Sequence, residues 1–169
     1  TAEWTVTGYV LMTGVFPIAA GRLGDIFGRR RVYLLGLLVF VASSALCGLA
    51  QNIEQLVVYR VLQGLGAATM MPLTLSIITN AFPAEQRGLA IGIWGGVSGL
   101  GLIAGPVIGG LLVNGDEWRW VFLVNIPVGI AALALAMVWV PESRDTNAPR
   151  YLDWRGLVAL SGALFLLLF

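Results

Sequence analysis

The chain has 169 residues, of which 58% are hydrophobic and 11% charged, and its mean hydropathy is +0.87. Soluble domains carry roughly 25% charged residues, and a chain this short could not hide so much apolar surface from water, so the composition excludes a soluble globular protein and indicates an integral membrane one. The net charge of +1 favours no particular partner, and nothing in the pattern calls for nucleic acid.

Apolar runs follow one another at Trp4–Gly21, Val32–Ala50, Leu56–Ala81, Gly88–Val113, Trp120–Val140 and Gly156–Phe169. A span needs about 20 residues, so the first five are read as complete transmembrane helices and the sixth as a truncated one. Inside a bilayer every backbone group needs an internal partner, which makes the runs helices. The expected fold is therefore an all-α integral membrane protein. Residues 1–140 form a partial transmembrane bundle, 141–153 a polar linker, and 154–169 the start of a further helix. The chain opens on Thr1 with no signal-peptide pattern and closes inside an apolar run. It reads as part of a longer polypeptide, whose remainder is needed to complete the bundle.

The loops between the runs alternate in charge. Arg22, Arg29, Arg30, Arg31, Arg87, Arg144, Arg150 and Arg155 fall in the first, third and fifth, whereas only Arg119 falls in the second and fourth. This asymmetry places the first, third and fifth loops in the cytoplasm. Trp118, Trp120 and Trp154 lie near expected interfaces, where indole rings favour the headgroup zone. Cys47 stands in an apolar run and is read as a small packing residue.

The first loop runs Gly21-Arg22-Leu23-Gly24-Asp25-Ile26-Phe27-Gly28-Arg29-Arg30-Arg31. Gly24 and Gly28 suit a tight turn. Asp25 and the arginines can form charge-assisted hydrogen bonds that close this side in one state and open in another. The alternative is a basic loop that only sets orientation.

In the third run, Arg60 lies about two turns inside the span. A charge there costs at least ~2.5–3.5 kcal/mol on insertion scales. Gln63 and Gly64 follow at three and four residues and share its face, so this polar, small face is expected to line a cavity. The alternative is an arginine that snorkels to the interface. Gly64 and Ala68 form a small-xxx-small pair suited to close packing.

The fourth run has no charge from Gly88 to Gly115. Gly101, Gly105 and Gly109 recur every four residues and share one face, with Gly110 beside it. That face admits another helix closely, and Pro106 is expected to bend the helix. Its alternative role is tight packing without motion. In the fifth run Pro127 is expected to introduce a kink, and Asn125 can hydrogen-bond between helices. Met70, Met71, Trp94 and Asn125 are candidates for contact with a greasy substrate, although packing would explain each of them.

No Asp or Glu interrupts a span and there is no histidine, so the runs hold no group suited to carry a proton at membrane depth. No metal-ligand cluster, activated nucleophile or phosphate-binding lysine loop occurs. An enzyme is not expected, and no cofactor or metal.

These motifs resemble the major facilitator superfamily. Gly21-x-Leu23-Gly24-Asp25-x-x-Gly28-Arg29-Arg30 looks like its loop between the second and third helices, with Ile26 in place of the usual basic residue. Arg60-x-x-Gln63-Gly64-x-Gly66-Ala67-Ala68 looks like its fourth-helix motif. Gly101-x-x-x-Gly105-Pro106-x-x-Gly109-Gly110 looks like the fifth-helix motif of antiporters. Trp118-Arg119-Trp120-x-Phe122-x-x-Asn125-x-Pro127-x-Gly129, followed by Asp153-Trp154-x-Gly156, is similar to the fourteen-helix drug:proton antiporter branch (EmrB/QacA type).

The resemblance covers nearly the whole chain, as helices two to six and the start of seven. It implies a multi-pass protein of a bacterial cytoplasmic membrane. Such a protein exchanges hydrophobic or cationic small molecules for protons by alternating access. The proton gradient is its energy source, and substrate, protons and membrane lipid are its partners. Arg60 would tune or relay proton binding with a carboxylate on another helix, with Gln63 and Gly64 beside it. Gly21, Asp25, Gly28, Arg29 and Arg30 would form the cytoplasmic gate. Gly105 and Pro106 would shape the rocking helix. The alternatives are a narrow-specificity exporter or importer of one metabolite, and a non-transporting membrane sensor or scaffold of the same fold.

Overall fold

Pro17 divides the first apolar run. It offers no N–H to the Thr13 carbonyl and its ring crowds that group. In the computed structural model, the run accordingly forms two helices, α1 (Glu3–Val15) and α2 (Pro17–Phe27), bent by 49°. The expected single helix over Trp4–Gly21 is thus a broken one. The structure describes residues 3–112 and 118–144, together with positions 156, 158, 159, 162, 163 and 166. More than half of the expected sixth span falls outside the described residues, as do Trp154 and the linker beyond Arg144.

The expected turn around Gly24 is also corrected. Helix α2 continues through Asp25 to Phe27, and only Gly28 leaves helical geometry before α3 (Arg29–Leu49) begins. Gly28 has φ of 111°, a left-handed conformation that side-chain-bearing residues rarely adopt. Gly24 is instead buried inside α2.

Helix α4 (Ile53–Ala81) opens on a side-chain cap. Asn52 Oδ1 accepts from the Gln55 N–H at 2.9 Å, and Gln55 Oε1 accepts from the Gln51 N–H at 3.1 Å. The first bond satisfies an amide that the first helical turn leaves unpaired, and the second ties down the residue just before the cap. Helix α5 (Ala84–Leu112) runs through Gly105 and Pro106 as one element, so the bend expected there does not interrupt it. The fifth run comprises α6 (Trp120–Leu123) and α7 (Asn125–Trp139). Their break falls at Val124, just after Leu123, whose carbonyl Pro127 can neither bond nor clear. Val124 keeps helical dihedrals, so the break is a kink and not a loop. Among the described residues four helices are long and apolar enough to cross a membrane, or five with the bent α1–α2 pair.

Helix α4 is the centre of the bundle. It packs along α3, then α1 and α2, while α7 leans on α3 and α5 touches α4 and α6 only sparsely. Side chains seat in notches left by glycine, which lets helices approach closely without a hydrophobic drive. A Cβ at Gly8 of α1 would meet Val61 of α4 at 2.9 Å, and one at Gly48 of α3 would meet Leu123 of α6 at 2.6 Å. Gly24 receives Leu73, Gly36 receives Thr69 and Gly129 receives Val41 in the same way. Gly64 and Gly66, two residues apart, point to opposite sides of α4. A Cβ at Gly64 would lie 2.8 Å from the Tyr9 carbonyl oxygen on α1, and one at Gly66 would lie 2.6 Å from the Gly36 carbonyl oxygen on α3. Cys47 is fully buried among these contacts.

Candidate functional site

Arg60 is held from three sides. Its Nε donates to the Thr5 carbonyl of α1 at 3.0 Å and its Nη1 to Gln63 Oε1 at 2.7 Å. The guanidinium carbon lies 4.3 Å from the Tyr9 ring centroid and 5.6 Å from that of Phe122 on α6. Such cation–π contacts contribute about 0.5–2 kcal/mol each. Together with two charge-assisted bonds they offset the cost of a cation at this depth.

The face expected to line a cavity is, among the described residues, a packing face. Gln63 is 1% exposed, and Gly64 lies buried against the backbone of α1. The Gln63 amide nitrogen donates to Ser44 Oγ on α3. Asn125, at the start of α7, donates from Nδ2 to the same Ser44 Oγ at 3.3 Å and to the Val121 carbonyl at 3.5 Å. The structure therefore brings Asn125 to Arg60's chain of polar groups. Ser44 was not legible as its link, because a serine in an apolar run carries no spacing signal. Met71 is 68% exposed, and Met70 and Trp94 are half-buried on α4 and α5.

Arg119, the arginine of the fourth loop, has a structural occupation. Its Nη2 donates to the Ala50 carbonyl at 3.0 Å, capping α3, and its guanidinium lies 4.6 Å from the Trp118 ring centroid. A cation at a helix C-terminus is favourable.

At the opposite, arginine-rich end, Asp25 Oδ1 accepts from Arg29 Nε at 3.0 Å and Nη2 at 2.8 Å across the Gly28 break. Gly28 has no side chain with which to cap α3, and the cap comes from beyond α7. Arg29 N–H donates to the Ser143 carbonyl at 3.0 Å, and Arg30 N–H to Glu142 Oε1 at 3.1 Å. Glu142 Oε2 lies 3.5 Å from Arg31 Nε, and Arg30 Nη2 donates to the Met137 carbonyl. An anion at the start of a helix is stabilising. A Cβ at Gly28 would sit 2.6 Å from Glu142 Oε1, so the glycine also makes room for this carboxylate.

Of the expected gate residues, Asp25, Gly28, Arg29 and Arg30 thus meet at one point. Gly21 faces Pro72 further along α2, at 3.9 Å from a built Cβ. Glu142 was missed as a member. The signal available was an acid just past the end of an apolar run, at the same membrane side as an uncapped helix start. Glu142→Ala is expected to cost about 0.5–2 kcal/mol, as loss of a helix cap does. Limited proteolysis would read it as faster cleavage around residues 141–144.

A groove of ≈ 630 Å³ opens between α2, α3 and α4, with Phe16, Leu23, Phe27, Leu35 and Leu65 in its walls and Arg31 on its edge. Met70, Met71, Trp94 and Asn125 do not border it. The glycines of α5 meet no neighbour among the described residues. A Cβ at Gly101, Gly105, Gly109 or Gly110 would have no neighbour within 4 Å among the described residues. Among those residues, too, no group of three His, Cys, Asp or Glu could hold a metal ion.

The profile of the Major Facilitator Superfamily matches residues 1–169. The tetracenomycin C resistance and export protein of Streptomyces glaucescens is 46% identical over 98% of this chain and 31% of its own length. Multidrug resistance protein 3 of Bacillus subtilis is 34% identical over 98% of this chain and 32% of its own. The chain therefore spans about a third of the length of these curated relatives. The crystal structure of the human organic anion transporter MFSD10 (TETRAN) superposes with a TM-score of 0.73 over 98% of this chain and 38% of that one, at 22% identity. At that identity the likeness speaks for the fold alone.

Proposed function

The chain belongs to the Major Facilitator Superfamily, and from that premise we propose that the full protein exports hydrophobic or cationic small molecules across the cytoplasmic membrane in exchange for protons. It is a multi-pass protein of the cell membrane. The observation that carries the export reading is that relatives named for resistance and export match almost the whole chain. The branch is the fourteen-helix drug:proton antiporters, on the strength of the Trp118–Gly129 pattern.

In this reading the arginine-rich end is cytoplasmic, because the arginine excess of the loops favours that orientation. Arg60 tunes proton binding by a carboxylate supplied from outside this chain, and the gradient is the energy source. Asp25, Arg29 and Arg30, joined by Glu142, hold the cytoplasmic side in one state. Helix α5 turns its open glycine seam (Gly101, Gly105, Gly109 and Gly110, with Pro106) toward the rest of the polypeptide. Alternating access then arises from rocking of one bundle against another.

The test is efflux of a fluorescent cationic dye by the full-length protein. Export is expected to collapse when a protonophore dissipates the gradient, and undiminished export would refute proton coupling. A second reading, export of one metabolite, is favoured by the higher identity to a protein named for a single antibiotic than to one named for multidrug resistance. Structurally unrelated cations would then fail to compete with the transported compound.

A further inference from the structure

The polar chain that begins at Arg60 has a fixed direction. A guanidinium only donates, so Gln63 must turn Oε1 to Arg60 Nη1, at 2.7 Å. Its amide nitrogen then faces away and donates to Ser44 Oγ. Asn125 Nδ2 donates to the same oxygen at 3.3 Å. Helix α3 thus supplies one acceptor on which donors from α4 and α7 converge. Ser44 is 0% and Gln63 1% exposed, so bulk water does not compete for these bonds.

From this geometry we infer that Ser44 and Asn125 are positioning residues for Arg60, acting through the Gln63 amide although the structure shows no bond from either to the guanidinium. The physical step is the anchoring of that amide. The donor-only guanidinium sets which end of Gln63 faces Arg60, and Ser44 Oγ holds the far end in place. Without it, the Gln63 nitrogen is a buried donor with no acceptor, which favours rotamers that carry the amide away from Arg60. Arg60 Nη1 then loses its acceptor, and the guanidinium shifts from its place between Tyr9 and Phe122. Asn125 acts at one remove by fixing where Ser44 Oγ accepts. Among the described residues the titratable groups facing Arg60 are the Tyr9 phenol on α1 and the Cys47 thiol on α3, while α6 presents Phe122. Neither group is a carboxylate, so the network orients the cation and leaves proton binding to another part of the protein.

The inference rests on the proposed role of Arg60 in tuning a carboxylate. A nearby cation lowers a carboxylate's pKa by about 1–3 units, so a displaced Arg60 lets that pKa rise. The experiment measures proton-driven dye transport by the full-length protein in proteoliposomes across a pH series. Ser44→Ala, Asn125→Ala, Arg60→Lys and the double variant Ser44→Ala/Arg60→Lys are compared. Ser44→Ala removes only an oxygen, and Asn125→Ala serves should that variant fail to fold.

Ser44→Ala and Asn125→Ala are expected to move the midpoint of the pH profile upward by about half a unit, a part of the 1–3 units a full ion pair commands. Arg60→Lys is expected to move it the same way, and the double variant to add nothing to Arg60→Lys. Changes in maximal rate with the midpoint unmoved in Ser44→Ala and Asn125→Ala, while Arg60→Lys shifts, would overturn the inference and leave the role of Arg60 standing. An unmoved midpoint in Arg60→Lys would overturn that role and this inference with it. A Ser44→Ala shift that adds to that of Arg60→Lys would show that Ser44 acts by another route, and would also overturn it.

Discussion

Gly66→Ala is expected to abolish correctly packed protein, or to lower its melting temperature more than any other single methyl added to this bundle. A Cβ at Gly66 would lie 2.6 Å from both the Gly36 carbonyl oxygen and the Phe40 nitrogen, and 2.9 Å from Phe40 Cα. All three atoms are backbone, so no rotamer change can relieve the overlap. Helix α3 would have to move away from α4 along the most extensive contact in the fold. Overpacking of a core costs about 1–3 kcal/mol when side chains can adjust, and the upper end or more is expected where they cannot. Size-exclusion profiles and thermal melts of the detergent-solubilised full-length protein would read it. Gly21→Ala is the control, since its new methyl would meet Pro72 at an ordinary 3.9 Å. Melting of Gly66→Ala at the wild-type temperature would mean that α3 and α4 do not approach as closely as described.

The same glycines mark where sequence reading stopped. Apolar run lengths located every described membrane-crossing segment, because the cost of unpaired backbone in lipid leaves the helix as the available answer. The spacing of Gly101, Gly105 and Gly109 identified a shared face, but periodicity names a face and not its partner. That face meets nothing among the described residues, whereas Gly8, Gly24, Gly36, Gly48, Gly66 and Gly129 carry the observed packing. Those positions do not form one seam of the i, i+4 kind, because each matches its own neighbour on another helix, a side chain at Gly8, Gly24, Gly36, Gly48 and Gly129 and the backbone of α3 at Gly66. Pro17 and Pro127 were visible, yet the breaks lie at Phe16 and Val124, where the carbonyls of the preceding turn are disturbed. The link from Gly28 to Glu142 crosses more than a hundred positions, and no local pattern announces a cap that arrives from so far along the chain.

Arg60→Ala is expected to reduce proton-driven transport at least tenfold while leaving a folded protein. The reasoning weighs what the side chain holds against what its loss leaves behind. Removal ends two charge-assisted bonds, to Thr5 and Gln63, and two ring contacts, to Tyr9 and Phe122. Gln63 Oε1 is then a buried acceptor without a donor, at a cost of about 1–3 kcal/mol. Part of that cost is offset because no cation need be kept in a low-dielectric setting. The balance is a modest loss of stability, since Leu73 and the close approach at Gly66 lie elsewhere on the helix interfaces. The effect on function has no such offset. If this cation tunes a carboxylate brought beside it by the rest of the polypeptide, its removal frees the carboxylate to hold its proton at working pH. Arg60→Lys separates the two contributions. It keeps the charge but replaces the planar fork by a point charge that cannot donate to Thr5 and Gln63 in the same geometry. Intermediate transport in Arg60→Lys, between wild type and Arg60→Ala, would assign the effect to charge and geometry together. Transport of Arg60→Ala at the wild-type rate, with a normal melting temperature, would reduce Arg60 to a packing residue that ties α1 and α6 to α4.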